Sequence, residues 1–402
     1  MSKSADYTIK GFLYQFNKTL LEILNSQDDN IITVEGIIED VEVQTPIGIK
    51  AIQCKYHEAS ENFKLSGIYE PLLQMMQHFY LNPKTNISYI LFAHYPTVKD
   101  DYWPKIDTAS LKSALKSKNI GLKKYVTALK GKIDLAAFLS KFTMEFGSAY
   151  DVLVAQVVEA LKENGFHVED IETLAYPNAI NMVAGLSVKH NPKERKISKP
   201  QFIASLLDIR KTAISHWTLA LRSRKQLLDA RRKQLKVHLD KNSRLRYFVI
   251  AAKSLDDYEV EIVLFITDYL NKYHFKPAHI SSPVICLCTS KEDFQDIQHR
   301  LYAKGVVATD GCIGGRFEET YFFRDPLSRK IGGGSVEREF SLRLLRWEDH
   351  SMVLNNRKCD DLFIVGKLAF DSLNVVDVNL EQLTTKSLKE LKYLLGVSNV
   401  YE

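Results

Sequence analysis

The chain is poor in the features that announce the simplest functional classes. Its five cysteines, Cys54, Cys286, Cys288, Cys312 and Cys359, are an odd and scattered set in 402 residues. They make no disulfide framework and fit a reducing cytoplasm. Cys286 and Cys288 lack the two-residue spacer of a zinc knuckle, which favours strand-core residues over metal ligands. No apolar run reaches membrane-spanning length; even Val260 to Leu270 is broken by Glu261 and Asp268. The opening MSKSADYT is polar and no apolar core follows it, so no signal peptide is expected. Gly314-Gly315 and Gly332-Gly333-Gly334 have neither the P-loop lysine spacing nor G-x-G-x-x-G, so no nucleotide loop is expected at either. Repeats and low-complexity tracts are lacking too. A net charge of +5 permits nucleic-acid binding without arguing for it, so local clustering matters more.

What is present centres on Ile31 to Tyr56, IITVEGIIEDVEVQTPIGIKAIQCKY. Two β-branched runs flank Pro46-Ile47-Gly48 and predict a hairpin. Along a strand, Gln53 and Lys55 share a face and Cys54 points away. A turn centred between Pro46 and Gly48 pairs Asp40 with one of residues 53 to 55. One carboxylate, one amide and one amine therefore converge at one end of the unit, enough to hold a divalent cation and orient a water. Glu35 and Glu39 lie close to Asp40 in sequence. Three carboxylates bunched beside a Gln-x-Lys strand repel unless a cation sits among them.

Around this hairpin the chain predicts an α/β order. Thr8 to Asn25 repeats apolar residues at helical spacing and carries Gln15 beside the buried stripe. Ile31 to Gly36 and Asp40 to Gln44 are the first strands. Ser66 to Leu81 is a helix with Ser66 as N-cap, and Ile87 to Ala93 a buried strand. Lys112 to Lys132 is Lys-rich and helical, facing either solvent or a phosphate backbone. Ile133 to Phe142 is a short helix, Phe142 to Phe146 an edge strand, and Ala149 to Glu163 a helix closed by Gly165. Asn191 to Pro200 reads as a linker or wing, after which Ser198 to Trp217 resumes helix. Leu221 to Arg246 is the strongest basic cluster, with Arg222, Arg224, Lys225, Arg231, Arg232, Lys233, Lys236, Lys241, Arg244 and Arg246 around a leucine stripe. Such a helix lies on DNA, a membrane or an acidic partner, or simply connects two halves; nothing else suggests a membrane. Beyond it, Tyr247 to Ala252, Pro283 to Cys288, Val306 to Ala308, Tyr321 to Phe323 and Phe363 to Val365 read as strands. Val260 to Tyr273, Lys291 to Lys304 and Ser387 to Leu395 read as helices.

The ordered set of helix, Val34-Glu35-Gly36, Glu39-Asp40-Val41 and Gln53-Cys54-Lys55 resembles the restriction-endonuclease-like PD-(D/E)xK superfamily. More narrowly, it resembles the double-stranded-DNA nuclease domain of bacterial anti-phage effectors, of the CBASS-effector, Lamassu nuclease-subunit and HerA-associated kinds. The resemblance covers about the first third of the chain strongly and the next quarter weakly. It implies an α/β protein: an αβββαβ nuclease core over residues 1–146, a helical connecting region over 147–246, and a C-terminal α/β regulatory or assembly domain over 247–402. It implies catalytic Asp40, Gln53, Lys55 and Gln15, the last standing where Mrr-type endonucleases carry a first-helix Glu. Gln15 reads equally as a capping or packing amide, and Glu22 is a second candidate with poorer spacing. It implies Mg²⁺ or Mn²⁺ on Asp40, the amide oxygen of Gln53, the carbonyl of Cys54 and Glu39. The family's usual acid at position 53 is an amide here, which removes one charge and weakens metal binding. Lys55 would orient the attacking water. The expected partners are double-stranded DNA, held by Arg231, Arg232 and Lys233, further copies of the chain, and a defence-system subunit such as an SMC-like ATPase or a HerA-like translocase. The expected location is the cytoplasm. The competing reading is a non-catalytic DNA-binding or assembly subunit with a degenerate nuclease fold, and RNA stays open as a substrate.

Overall fold

A computed structural model describes residues 3–36, 38–57, 62–98, 105–221, 223–241, 243–276, 279, 281–331 and 335–401. Arg222 and the Gly332-Gly333-Gly334 loop lie outside the described residues. The protein is mixed α/β and forms two compact units, 1–213 and 214–402. The region expected as a connector over 147–246 is divided between them.

In the first unit, α1 (Lys3–Leu24) precedes β1 (Ile31–Val34), β2 (Val41–Thr45) and β3 (Gly48–Tyr56). After them come α2 (Tyr69–Leu81), β4 (Ile87–His94), α3 (Thr108–Ala114), α4 (Lys123–Leu129), α5 (Leu135–Leu139) and β5 (Phe142–Phe146). Then follow α6 (Tyr150–Glu163), the single turn α7 (Val168–Asp170), α8 (Tyr176–Ser187), β6 (Lys196–Ser198) and α9 (Lys199–Leu207). The six described strands lie in the order β5-β4-β3-β2-β1-β6. β3, β4 and β5 run parallel, while β3-β2-β1-β6 alternate antiparallel.

The β2-β3 turn is Pro46-Ile47, closed by the Thr45↔Gly48 pair. Two residues are the shortest common hairpin loop and leave the register no slack. Val41 therefore faces Ile52, and one step on Asp40 faces Gln53. On one face of the sheet Ala51, Tyr89 and Leu91 meet Leu72, Leu73 and Met76 of α2 and Phe138 of α5 in a continuous core. The other face meets α1, whose Leu13, Phe16, Leu20 and Ile23 recur at helical spacing and are buried. Phe12 of the same helix is 41% exposed. Ser66 caps no helix; a short 3-10 turn, Leu65–Ile68, precedes α2 instead. The Lys112 to Lys132 stretch breaks into α3, a 3-10 turn and α4 rather than one helix. Gly165 ends α6 at a φ of 89°, as a C′ glycine does.

Asn191 to Pro200 is no linker. It supplies a 3-10 turn (Pro192–Arg195) and then β6, which pairs antiparallel with β1 and closes that side of the sheet. Ser198 then caps α9 in a reciprocal capping box with Gln201. The helix stops at Leu207, well before the predicted Trp217.

The second unit opens with α10 (Arg224–Leu239) and then β7 (Arg246–Ala251), α11 (Tyr258–Tyr273), β8 (Val284–Cys288), α12 (Lys291–Ala303) and β9 (Ala308–Thr309). A small hairpin, β10 (Cys312–Ile313) and β11 (Arg316–Phe317), leads to α13 (Glu319–Phe323). A second hairpin, β12 (Ser328–Ile331) and β13 (Ser335–Arg338), precedes β14 (Leu342–Arg346), α14 (Trp347–His350), β15 (Asp361–Val365), β16 (Asn379–Leu383) and α15 (Leu388–Leu394). The described strands of its main sheet are all parallel, in the order β16-β15-β7-β8-β14-β9. Their near-continuous apolar runs, such as the fully buried β7, are what parallel strands covered on both faces require. Tyr321 to Phe323 is helical and not a strand: the run belongs to α13. No helix among the described residues is long and apolar enough to cross a membrane.

Candidate active site

The site grows from the hairpin register. Asp40 ends the loop before β2, directly opposite Gln53. Its Oδ2 accepts the Gln53 side-chain amide at 2.7 Å and the Cys54 backbone N–H at 2.8 Å. One carboxylate oxygen is thus fixed from two directions by β3. On its other side the ladder runs one bond beyond β1, where Glu35 N–H donates to the Asp40 carbonyl at 2.8 Å. Gln15, reaching from α1, donates its amide to Glu35 Oε1 at 2.6 Å. Gln15 therefore meets the site through Glu35, and its bond there is the sort a packing amide also makes.

Charge in this corner is unbalanced. Burial raises the Asp40 carboxyl above its usual range; the Cys54 N–H works against that, Glu35's charge adds to it, and Lys55 and Gln53 oppose it. Glu39 is 8% exposed, and burial followed by the Asp40 charge pushes it up to about 8, with Lys55 opposing and Glu42 adding. Lys55, half-buried on the same face as Gln53, thus acts on both acids. A nearby cation would reverse what burial does to the two carboxyls.

Not all of the expected cluster comes together. Among the described residues no group of three His, Cys, Asp or Glu side chains could hold a metal ion, so Glu35, Glu39 and Asp40 do not form a three-carboxylate cage. Any cation here must draw on amide and backbone oxygens. The donor chemistry fits that: Asp40, the Gln53 amide oxygen and the Cys54 carbonyl are all hard oxygen ligands. The N–H and C=O of a paired strand residue face the same neighbour, so the Cys54 carbonyl lies on the Asp40 side with its N–H. The Gln53 nitrogen, not its oxygen, faces Asp40. Two acceptors would repel there unless a cation stood between them.

Glu22 is excluded from the site. Its carboxylate pairs with Lys18 and Lys50, each at 2.8 Å, on the opposite face of the sheet. Burial pushes it up, but the two ammonium groups outweigh that and hold it below its usual range.

The basic helix α10 is used differently from the expectation. Arg231 is 3% exposed and ion-paired to the equally buried Glu381 of β16. Arg232 bonds Asn399 Oδ1 at 2.6 Å and lies over the Tyr393 ring. Arg224 pairs with Glu390 of α15. Of the three residues expected to hold DNA, Lys233 alone is exposed, with Lys225 and Lys236 exposed beside it. A buried guanidinium cannot reach a phosphate, so Arg231 is a packing residue of the second unit.

Sequence reasoning passed over Arg195. Its Nη1 donates to the Glu35 carbonyl at 2.7 Å and its Nε to the Lys189 carbonyl at 2.6 Å. The signal that could have found it is the capping box at Ser198 with Pro200 behind it, which fixes a helix start and so an ordered approach.

No known protein-family model matches the chain, and no curated protein is similar to it. Solved structures of the Acinetobacter baumannii Cap4 SAVED/CARF-domain containing receptor are similar at a TM-score of 0.30. The receptor with the cyclic trinucleotide 3'3'3'-cAAA is 13% identical, over 82% of this chain and 69% of that one. With 2'3'3'-cAAA it is 13% identical, over 89% and 90%, and a further structure of the receptor is 11% identical, over 96% and 93%. Likeness at that level carries neither fold nor function across.

Proposed function

We propose that the chain is a metal-dependent endonuclease subunit of a bacterial anti-phage defence system, hydrolysing phosphodiester bonds of double-stranded DNA when assembly or a partner activates it. The observation that carries the proposal is the double hold on Asp40 Oδ2 by the Gln53 amide and the Cys54 N–H, with Lys55 close by on the same strand. A carboxylate fixed that tightly, raised by burial and set beside a lysine, is arranged for charge chemistry rather than for packing.

Asp40, the Gln53 amide oxygen and the Cys54 carbonyl would hold Mg²⁺ or Mn²⁺, with Glu39 alongside. When bound, the ion supplies Lewis acidity and a water made acidic enough to attack. The chain's own residues do the rest. Asp40 is oriented by the two β3 donors. Lys55 orients the attacking water and offsets charge gathering on the phosphate oxygens. Gln53, neutral where the resembled family has an acid, leaves the ion less tightly held and the resting protein correspondingly quiet.

The test is cleavage of supercoiled and linear duplex DNA across a Mg²⁺ and Mn²⁺ titration. Asp40→Ala and Lys55→Ala are each expected to lose at least a hundredfold in rate while their circular dichroism stays that of the parent. Undiminished cleavage by Lys55→Ala at saturating metal overturns the assignment. The competing reading, a degenerate nuclease fold kept for binding and assembly, is favoured by the lack of a three-acid metal group among the described residues. It requires wild-type protein that binds duplex DNA and cuts none at any metal concentration.

A further inference from the structure

Four chain segments meet in a row across the end of the first sheet. Gln53 of β3 stands opposite Asp40, and Asp40 opposite Glu35, by continuation of the two registers. Continuing the β1-β6 register from Thr33↔Lys196 sets Arg195 beside Val34, next to Glu35. Arg195 completes the row by donating to the Glu35 carbonyl.

Glu35 is the strained member. Its φ of 49° lies in the left-handed region, where a β-carbon crowds the following carbonyl oxygen. Strain of that kind persists only where neighbours over-determine it. Here the Glu35 N–H is held by the Asp40 carbonyl and the Glu35 carbonyl by Arg195. Arg195 is itself anchored, since its Nε is taken up by the Lys189 carbonyl where α8 ends. The planar guanidinium fork suits this double grip, with one side on the scaffold and the other on the turn. Because Glu35 carries both the backbone bond to Asp40 and the carboxylate that takes up Gln15, moving Glu35 moves both.

We propose that Arg195 is a positioning residue: its guanidinium holds the left-handed turn at Glu35 and, through that turn, sets the position of the Asp40 carboxylate. The proposal rests on the nuclease reading above for what Asp40 does, not for how it is held.

Three measurements on the full chain test it. The first needs neither metal nor DNA. In Arg195→Ala the Glu35 amide should exchange with solvent at least tenfold faster than in the parent, its bond to Asp40 having lost its brace. The second is Mn²⁺ affinity by calorimetry without DNA, expected to fall ten- to a hundredfold, the usual effect of removing a group that holds a metal ligand. Arg195→Lys, whose ammonium lacks the fork that spans both carbonyls, should recover only part of both. The third is a double-mutant cycle. Gly at position 35 tolerates the left-handed turn unaided, so in the Glu35→Gly background Arg195→Ala should cost no further Mn²⁺ affinity. Additive losses, or an unchanged Glu35 amide in Arg195→Ala, overturn the proposal. A parent that binds Mn²⁺ and cuts no DNA defeats the nuclease reading and leaves this one standing. If the parent binds no Mn²⁺, the exchange rates alone decide.

Discussion

Gln53 is where the chain departs most from the chemistry it resembles, and its buried amide is correspondingly informative. It now donates to Asp40, which stabilises the carboxylate without bringing in charge. Gln53→Glu would set two carboxylates face to face, which a divalent cation relieves. We expect Gln53→Glu to bind Mn²⁺ about tenfold more tightly and to retain cleavage, and Gln53→Leu to lose both; equal Mn²⁺ titrations of all three proteins would make the residue structural. Glu39 gives a prediction that needs no substrate. Its folded carboxyl is raised to about 8, so the folded state holds its proton more tightly than the unfolded state does. Stability is then full below the unfolded carboxylate range and is lost as pH climbs through 8, by up to roughly 5 kcal/mol. Metal-free protein should melt at progressively lower temperature from pH 4.5 to 8, and Glu39→Gln should flatten the decline. A parent whose melting temperature rises over that window would show that Glu39 is not so buried. At this scale the sequence narrows the partner of Asp40 to residues 53 to 55, and the two-residue turn Pro46-Ile47 then selects Gln53. Arg195 was not, since its partner lies 160 positions away and no local pattern links the two.

Among the elements, α10 shows how a charge count misleads. The basic residues of Leu221 to Arg246 read as a binding face, yet the helix turns Arg224 and Arg231 inward to pair with Glu390 and Glu381. Those acids sit far downstream in sequence, so the neutralisation is invisible locally. Arg231→Glu should cost about 3–5 kcal/mol in urea denaturation, because it leaves two buried like charges without a partner. Reversal of the exposed Lys225, Lys233 and Lys236 to Glu should spare the fold. We expect it to shift the mass seen by light scattering while leaving the salt dependence of DNA binding unchanged; a smaller salt slope at constant mass would make the helix a phosphate-gripping face instead. The amphipathic helices α1 and α6 were legible because their apolar spacing is long enough to have a period. β6, with three residues, has none. Tyr321 to Phe323 misread as a strand because aromatic side chains favour strands on average, whereas this run packs Phe322 fully buried from one helical turn.

For the whole molecule, the α/β class and the order of elements in the first unit follow from alternation of periods along the chain. The extent of that unit does not, because its sheet recruits β6 from far beyond the predicted nuclease core. Such late recruitment matters during synthesis. A ribosome releases Asp40 and both halves of its hairpin early, but the strand that flanks β1 and the guanidinium that braces Glu35 are still untranslated. At elongation rates of roughly 5–20 residues per second, about seven to thirty seconds separate the two. Through that interval the nascent chain carries an open sheet edge, the kind that pairs with whatever strand it meets. A fragment stopping short of residue 195 lacks both the strand that covers that edge and the guanidinium that bonds the Glu35 carbonyl.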